Sequence, residues 1–168
     1  FSRQDQPIFA RDLDAENAMA ILLKDAINPN LVQTRQGTLA FVHGGPFANI
    51  AHGASSIRAT KLALKLGDYA VTEAGFGSDL GAEKFINIVT RQLGVQPSVA
   101  VLVATVRALE YNGGAAVTEL GHEKKSEQQS GLDNLKAHVG VLLALGLSFV
   151  VAINKFVSDS GRELNIVR

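Results

Sequence analysis

The chain has 168 residues, 46% of them apolar and only 19% charged, and its 16 Lys and Arg balance 16 Asp and Glu. A chain of this size suits one domain. Disorder, which needs low hydrophobicity and high net charge, is excluded, and bulk charge gives no support for nucleic-acid or anionic-membrane binding.

Cysteine is absent, which removes disulfides, thiolate metal sites and cysteine nucleophiles together. The start, Phe1-Ser2-Arg3-Gln4-Asp5, is polar and carries no apolar secretory core. The longest uncharged apolar stretch, Val139 to Ile153, is interrupted by Gly146 and Ser148 and falls short of the roughly 20 residues of a membrane span. These features point to the cytoplasm. The low charge suggests that much of the surface faces further protein, so residues 1–168 read as a single α/β domain or a fragment of a larger enzyme.

From Ala10 to Ile27 the apolar spacing predicts a helix, with Asp12 or Asp14 as cap and Asn28-Pro29-Asn30 as its end. Thr38 to Val42 is a short apolar run followed by His43-Gly44-Gly45-Pro46. Ile50 to Leu66 is helical in period. A second run, Tyr69 to Thr72, leads into Glu73-Ala74-Gly75-Phe76-Gly77, and Gly81 to Leu93 is again helical. Val99 to Ala104 is a third run, followed by Thr105-Val106-Arg107. Residues 111–131 hold Gly113-Gly114 and a charged stretch, and read as an exposed loop or insertion. A lid is the functional alternative. Leu132 to Leu145 is helical, and Phe149 to Ile153 is the fourth run, followed by Asn154-Lys155.

Short apolar runs alternating with helices predict βαβ units and a mostly parallel sheet. The runs are apolar on both parities, as strands covered by helices on both faces require. Right-handed crossovers would gather the strand ends on one edge, and ligands of open α/β sheets bind outside those ends. Each run gives way there to Gly or polar residues.

His43-Gly44-Gly45 and His52-Gly53 flank a turn ahead of a helix N-terminus, which favours phosphate. The histidines suit phosphate oxygens or proton transfer, and a plain structural turn is an equal reading. Glu73 and Asp79 bracket a glycine-rich turn and suit Mg²⁺ alongside phosphate oxygens, although Asp79 also suits a helix cap. Phe76, between Gly75 and Gly77, suits stacking on a flat heterocycle or burial in the core. Arg107 suits an anion or an ion pair. Asn154 to Asp159 is similar to a base-reading loop of nucleotide-binding α/β proteins. No G-x-x-x-x-G-K-[ST] or G-x-G-x-x-G occurs, so the phosphate-friendly turns form no complete cradle.

Five stretches together resemble formate–tetrahydrofolate ligases: Leu23-Lys24-Asp25-Ala26 with Pro29 to Thr34, Phe41 to Gly53, Val71 to Phe85, Val103 to Leu109, and Val151 to Phe156. The resemblance runs from about Ala10 to Asp159, and Gly44-Gly45 is similar to the bacterial branch. It implies a P-loop NTPase-like α/β fold lacking the Walker A segment, which family members carry N-terminal to the matched region. It implies ATP-dependent ligation of formate to tetrahydrofolate through formyl phosphate, with Mg²⁺, a monovalent cation (K⁺ or NH₄⁺), and a homo-oligomer, tetrameric in the family.

On this resemblance His43, His52, Asp79 and Arg107 are the candidate catalytic residues. Gly44, Gly45, Asn49, Glu73, Gly75, Phe76, Gly77, Asn154 and Lys155 are the candidate substrate- and nucleotide-binding residues, with Phe76 on the folate and Asn154 and Lys155 toward the nucleotide. No dedicated protein metal site is expected. The isolated chain is expected to be inactive. The alternative is a non-catalytic α/β module or degenerate paralogue serving assembly. The chain departs from the family at Ala54-Ser55, where Cys-Asn is common, and in Thr118 to Ser130.

Overall fold

The computed structural model describes residues 1–44, 54–75, 77–120 and 123–167. The chain divides into two compact units, Phe1–Ala48 with Ser55–Thr72, and Asn49–Ala54 with Glu73–Arg168.

In the first unit the helix expected over Ala10 to Ile27 is broken. A 3₁₀ turn, Ala10–Leu13, ends at Asp14 with φ +52°, and α1 covers only Glu16–Leu23. The Asp12 carboxylate accepts the Phe9 N–H at 2.8 Å, which fixes the entry turn. The short run at 38–42 does form a strand, β2 (Leu39–Val42), but its partner was not foreseen. It pairs antiparallel with β1 (Asn30–Gln33), Asn30 opposite Val42 and Gln33 opposite Leu39. The turn between them is closed by Thr34 N–H on Thr38 O and by Thr38 N–H on Thr34 Oγ1. Gly37, at φ +89°, supplies the left-handed residue this turn needs. Helix α2 (Ile57–Leu66) follows, capped by Ser56, whose Oγ accepts the Ala59 N–H at 3.0 Å. The run Tyr69 to Thr72 is not a strand. Tyr69 and Val71 are almost fully exposed, and no ladder receives them.

The second unit opens on a continuous helical stretch. Residues Gly77–Ala82 and Phe85–Val89 are wound as π turns, and α3 (Thr90–Leu93) completes it. Gly94, at φ +83°, ends it in the left-handed conformation. β3 (Ala100–Ala104) and β4 (Phe149–Ile153) then pair in parallel, Ala100 opposite Phe149 and Ala104 opposite Ile153. Between them run α4 (Val106–Asn112) and α5 (Lys125–Ala144), and α6 (Gly161–Val167) follows β4.

The stretch expected to be an exposed loop over 111–131 is helical from Lys125. Gln128 and Gly131 are buried, because α4 and α5 pack backbone to backbone where Gly113 meets Glu127 and Gly131 meets Leu109. A side chain at either glycine would overlap those carbonyls. Val106, Leu109, Ala115 and Leu142 make the core beneath, with Phe85, Val89 and Leu93 buried on the helical stretch before β3.

The architecture is therefore α/β with a small parallel sheet, as expected in class, but it is not one mostly parallel sheet. Among the described residues there are two two-stranded sheets, one antiparallel and one parallel. Nor is the parallel pair covered on both faces: Val101 and Val103 of β3, and Val150 and Val151 of β4, are exposed. Three of the four runs form strands and Tyr69 to Thr72 does not, because an apolar run becomes a strand only when a neighbour completes its ladder.

Candidate functional site

Two clusters carry the candidate residues, one in each unit.

In the first unit His43 sits just past β2, half-buried. Its Nε2 lies 2.8 Å from Ala26 O and its Nδ1 lies 2.6 Å from Ser56 Oγ. A carbonyl only accepts, so the neutral ring carries its proton on Nε2 and donates it to Ala26. Nδ1 then accepts the Ser56 hydroxyl, while Ser56 Oγ accepts the Ala59 N–H. One ring thus ties the chain after α1, the end of β2 and the cap of α2 together. Gly44 follows at φ +95°, with open space around it. Gly45, Asn49 and His52 lie outside the described residues.

In the second unit the ends of the two parallel strands meet. The ladder is extended by Asn154 N–H on Ala104 O at 2.8 Å, which sets Asn154 beside the start of α4. Thr105 caps α4 by accepting the Ala108 N–H at 3.0 Å. Arg107, in the first turn of α4, donates from its guanidinium to Ser158 Oγ at 3.2 Å and lies 4.7 Å from the centre of the Phe156 ring. A guanidinium has five N–H groups, and this one is exposed, so an anion can still be received there. Asp159 is buried. Its carboxylate accepts the Phe156 N–H at 2.9 Å, which holds the loop. Ser160 and Glu163 form a reciprocal cap on α6, and the buried Gln128 amide donates to Glu163 O at 2.7 Å. Lys155 is exposed beside Asn154.

The glycine-rich turn between Glu73 and Gly77 belongs to the same unit. Gly75 and Gly77 have φ +98° and +67°, conformations that a side chain would strain. Asp79 is largely exposed and sits in the first π turn, with its carboxylate 3.8 Å from His138 Nδ1 on α5. Ser78 is buried between them, its Oγ 2.6 Å from the same nitrogen. Lys84 donates to Ala74 O at 2.6 Å. Burial lowers the Lys84 ammonium below the ordinary lysine value, opposed by the negative field of Glu73. Phe76 lies outside the described residues.

The structure therefore joins Arg107 to the Asn154–Ser158 loop and sets Asp79 near His138 of α5. Among the described residues no hydrogen bond or ion pair links Asp79 to Arg107 or Asn154. Ser78, Lys84 and His138 were not singled out in the sequence. Gly81, an isolated glycine in a helical pattern, was the one available signal of a close backbone approach there.

No group of three or more His, Cys, Asp or Glu side chains gathers as a metal cage among the described residues. Glu73 lies in the field of the Lys84 ammonium, and the Asp79 carboxylate lies 3.8 Å from His138 Nδ1. A divalent ion would fit here only with phosphate oxygens supplying further ligands. No helix of the described residues is long and apolar enough to cross a membrane.

A parallel strand pair whose carboxyl ends carry an arginine, an asparagine and a lysine, with a glycine-rich stretch bearing carboxylates in the same unit, defines an α/β protein with its polar groups gathered where such folds bind ligands. The chain belongs to the formate–tetrahydrofolate ligase family, whose model matches residues 1–168. It is 55% identical over all of its 168 residues to the formate–tetrahydrofolate ligase of Ruegeria sp. (strain TM1040), and spans 30% of that relative's length.

Proposed function

We propose that this chain is part of an enzyme that ligates formate to tetrahydrofolate with ATP, giving 10-formyltetrahydrofolate, ADP and phosphate. The observation that supports this reading most is the joining of Arg107 to the Asn154 loop across the ends of β3 and β4, within a chain that matches the family along its whole length.

In this proposal a formate oxygen attacks the γ-phosphorus of ATP and the bond to ADP breaks, leaving formyl phosphate. The folate amine then attacks the formyl carbon, loses its proton, and phosphate departs. Little covalent work falls to the protein. Positioning and charge stabilisation carry the reaction. Arg107, held over the Phe156 ring, would meet the transferring phosphoryl group with its remaining donors. Asn154 and Lys155 would lie toward the nucleotide. Glu73, Gly75, Phe76 and Gly77 would form the folate and acyl side, with Asp79 and His52 as the groups for proton movement. His43 would fix the turn that carries Gly44, Gly45 and Asn49, since both its ring nitrogens are already bonded.

Mg²⁺ would supply charge neutralisation on the nucleotide phosphates, and a monovalent cation is expected from the family. The remaining length of the ligase would supply the Walker A loop. A homo-oligomeric, cytoplasmic enzyme is part of the same reading.

The test is ATP-, formate- and tetrahydrofolate-dependent formation of 10-formyltetrahydrofolate by a full-length ligase carrying residues 1–168. Arg107→Ala and Asp79→Asn should each lower turnover by about 10²-fold or more while the protein stays folded by circular dichroism. Normal turnover in both variants would refute these assignments.

A further inference from the structure

The stretch Glu73 to Gly75 needs something to hold it, because its glycine permits many conformations and, among the described residues, no strand ladder reaches Tyr69 to Gly75. Its backbone folds back onto the helix that follows. At Gly81 a built Cβ would lie 2.8 Å from both Ala74 O and Gly75 O, so only glycine admits this approach. One of those two carbonyls is then gripped: Lys84, one turn further along, donates to Ala74 O at 2.6 Å.

A lysine on a free surface gains little from a carbonyl. Lys84 is half-buried, loses hydration, and has its ammonium lowered by that loss. A flexible four-carbon side chain is also ordered at a cost. The sequence accepts both costs at the one place where the glycine turn would otherwise be loose. The resulting bond is short and charge-assisted, and it acts on the peptide next to Glu73, whose carboxylate lies in the field of the same ammonium.

We propose that Lys84 is a positioning residue: its ammonium clamps the Ala74–Gly75 peptide onto Gly81 and so fixes where Glu73 and the glycine turn present themselves to substrate. It acts through the turn and need not touch substrate. The inference rests on the proposed function for the identity of that substrate, the folate and acyl side of the ligation, but the clamp itself does not.

Ala74–Gly75 is the sole Ala-Gly step in the 168 residues. In a full-length ligase carrying residues 1–168, labelling alanine carbonyls with ¹³C and glycine amides with ¹⁵N restricts the NMR spectrum to Ala-Gly peptides, and comparison with the Lys84 variants picks out this one. In the unmutated chain its carbonyl should resonate downfield, as a strongly bonded carbonyl does, and Lys84→Met should move it upfield. Lys84→Gln, which keeps a shorter neutral donor, carries the same comparison if the methionine variant does not fold.

In a full-length ligase carrying residues 1–168, Lys84→Met should lower kcat roughly tenfold or more. The KM for ATP should stay within about twofold, since the nucleotide side is untouched. A merely structural lysine would move stability without this split. An unmoved carbonyl signal in a folded variant overturns the inference by itself. A moved signal with unchanged kcat overturns the positioning role. A parent ligase without turnover overturns the proposed function, and the catalytic half of the inference with it, while the carbonyl comparison still judges the clamp.

Discussion

The two units are specified in different ways. In the second, helices α4 and α5 press backbone to backbone at Gly113 and Gly131, and Val106, Leu109 and Leu142 are at most 3% exposed. In the first, Ala59 is the one buried apolar residue among those described, while Ile21 and Leu22 of α1 are 75% and 82% exposed. Its order comes from directional bonds instead: the His43 bridge, the Ser56 cap, the Thr34–Thr38 turn. Packing tolerates no added volume, whereas a hydrogen-bonded unit tolerates volume and fails when a donor or acceptor is lost.

The sharpest way to break this comparison is to add volume at the helix crossing. Gly131→Val should destabilise the chain by about 3 kcal/mol or more, read from urea unfolding, or prevent folding outright. The next is to remove volume. Leu142→Ala should cost about 2–4 kcal/mol, while Leu22→Ala should stay within about 0.5 kcal/mol. Equal losses at the two leucines would erase the distinction between the units. Smaller again is the loss of the directional bond. His43→Ala should cost about 1–2 kcal/mol, and adding Ser56→Ala should cost less than the sum of the two single changes, because they share one network.

The smallest effect concerns pH. Lys124 lies 2.9 Å from Glu119, and that hydrogen bond and charge raise its ammonium above 10.5. A raised folded value means the pair's contribution is fully present below 10.5 and is lost as pH rises through the folded value. Lys84 has the opposite sign. Its ammonium is lowered, so its cost is present at neutral pH and fades as pH climbs from the folded value toward 10.5. Lys124→Met should flatten the alkaline loss of stability, with the difference shrinking as salt is added. An unchanged alkaline limb would remove the pair from the account.

Particular elements show what was legible. β4 was read residue for residue as Phe149 to Ile153, and β3 began one residue later than expected. Both are β-branched apolar runs bounded by polar residues, so local sequence and tertiary role agree. Tyr69 to Thr72 has the same local signal and forms no strand, since a ladder needs a second chain segment. β1, Asn30 to Gln33, has half its residues polar: Asn30 was read as part of the stop after the first helix, and Leu31 to Gln33 were assigned to no element. The charge run after Gly121 concealed Gln128 and Gly131, whose burial depends on α4. Arg107 and Asn154 were legible as strand-end residues because strand ends in an α/β chain are predictable places. Ser78, His138 and Lys84 were not, because their partners lie 60 and ten residues away with no period to mark them.

The amino-acid sequence by itself determined the α/β class, the strands β3 and β4, the family, and which stretches are rich in glycine, because these follow from local composition and contiguous motifs. Only the tertiary structure decided that β2 pairs backward with β1, that both nitrogens of His43 are engaged, that Asp159 holds its own loop, and that Lys84 grips the peptide beside Glu73. Each of those depends on which distant donor meets which acceptor. That choice is made by packing and desolvation across the whole unit, and no short stretch of residues encodes it.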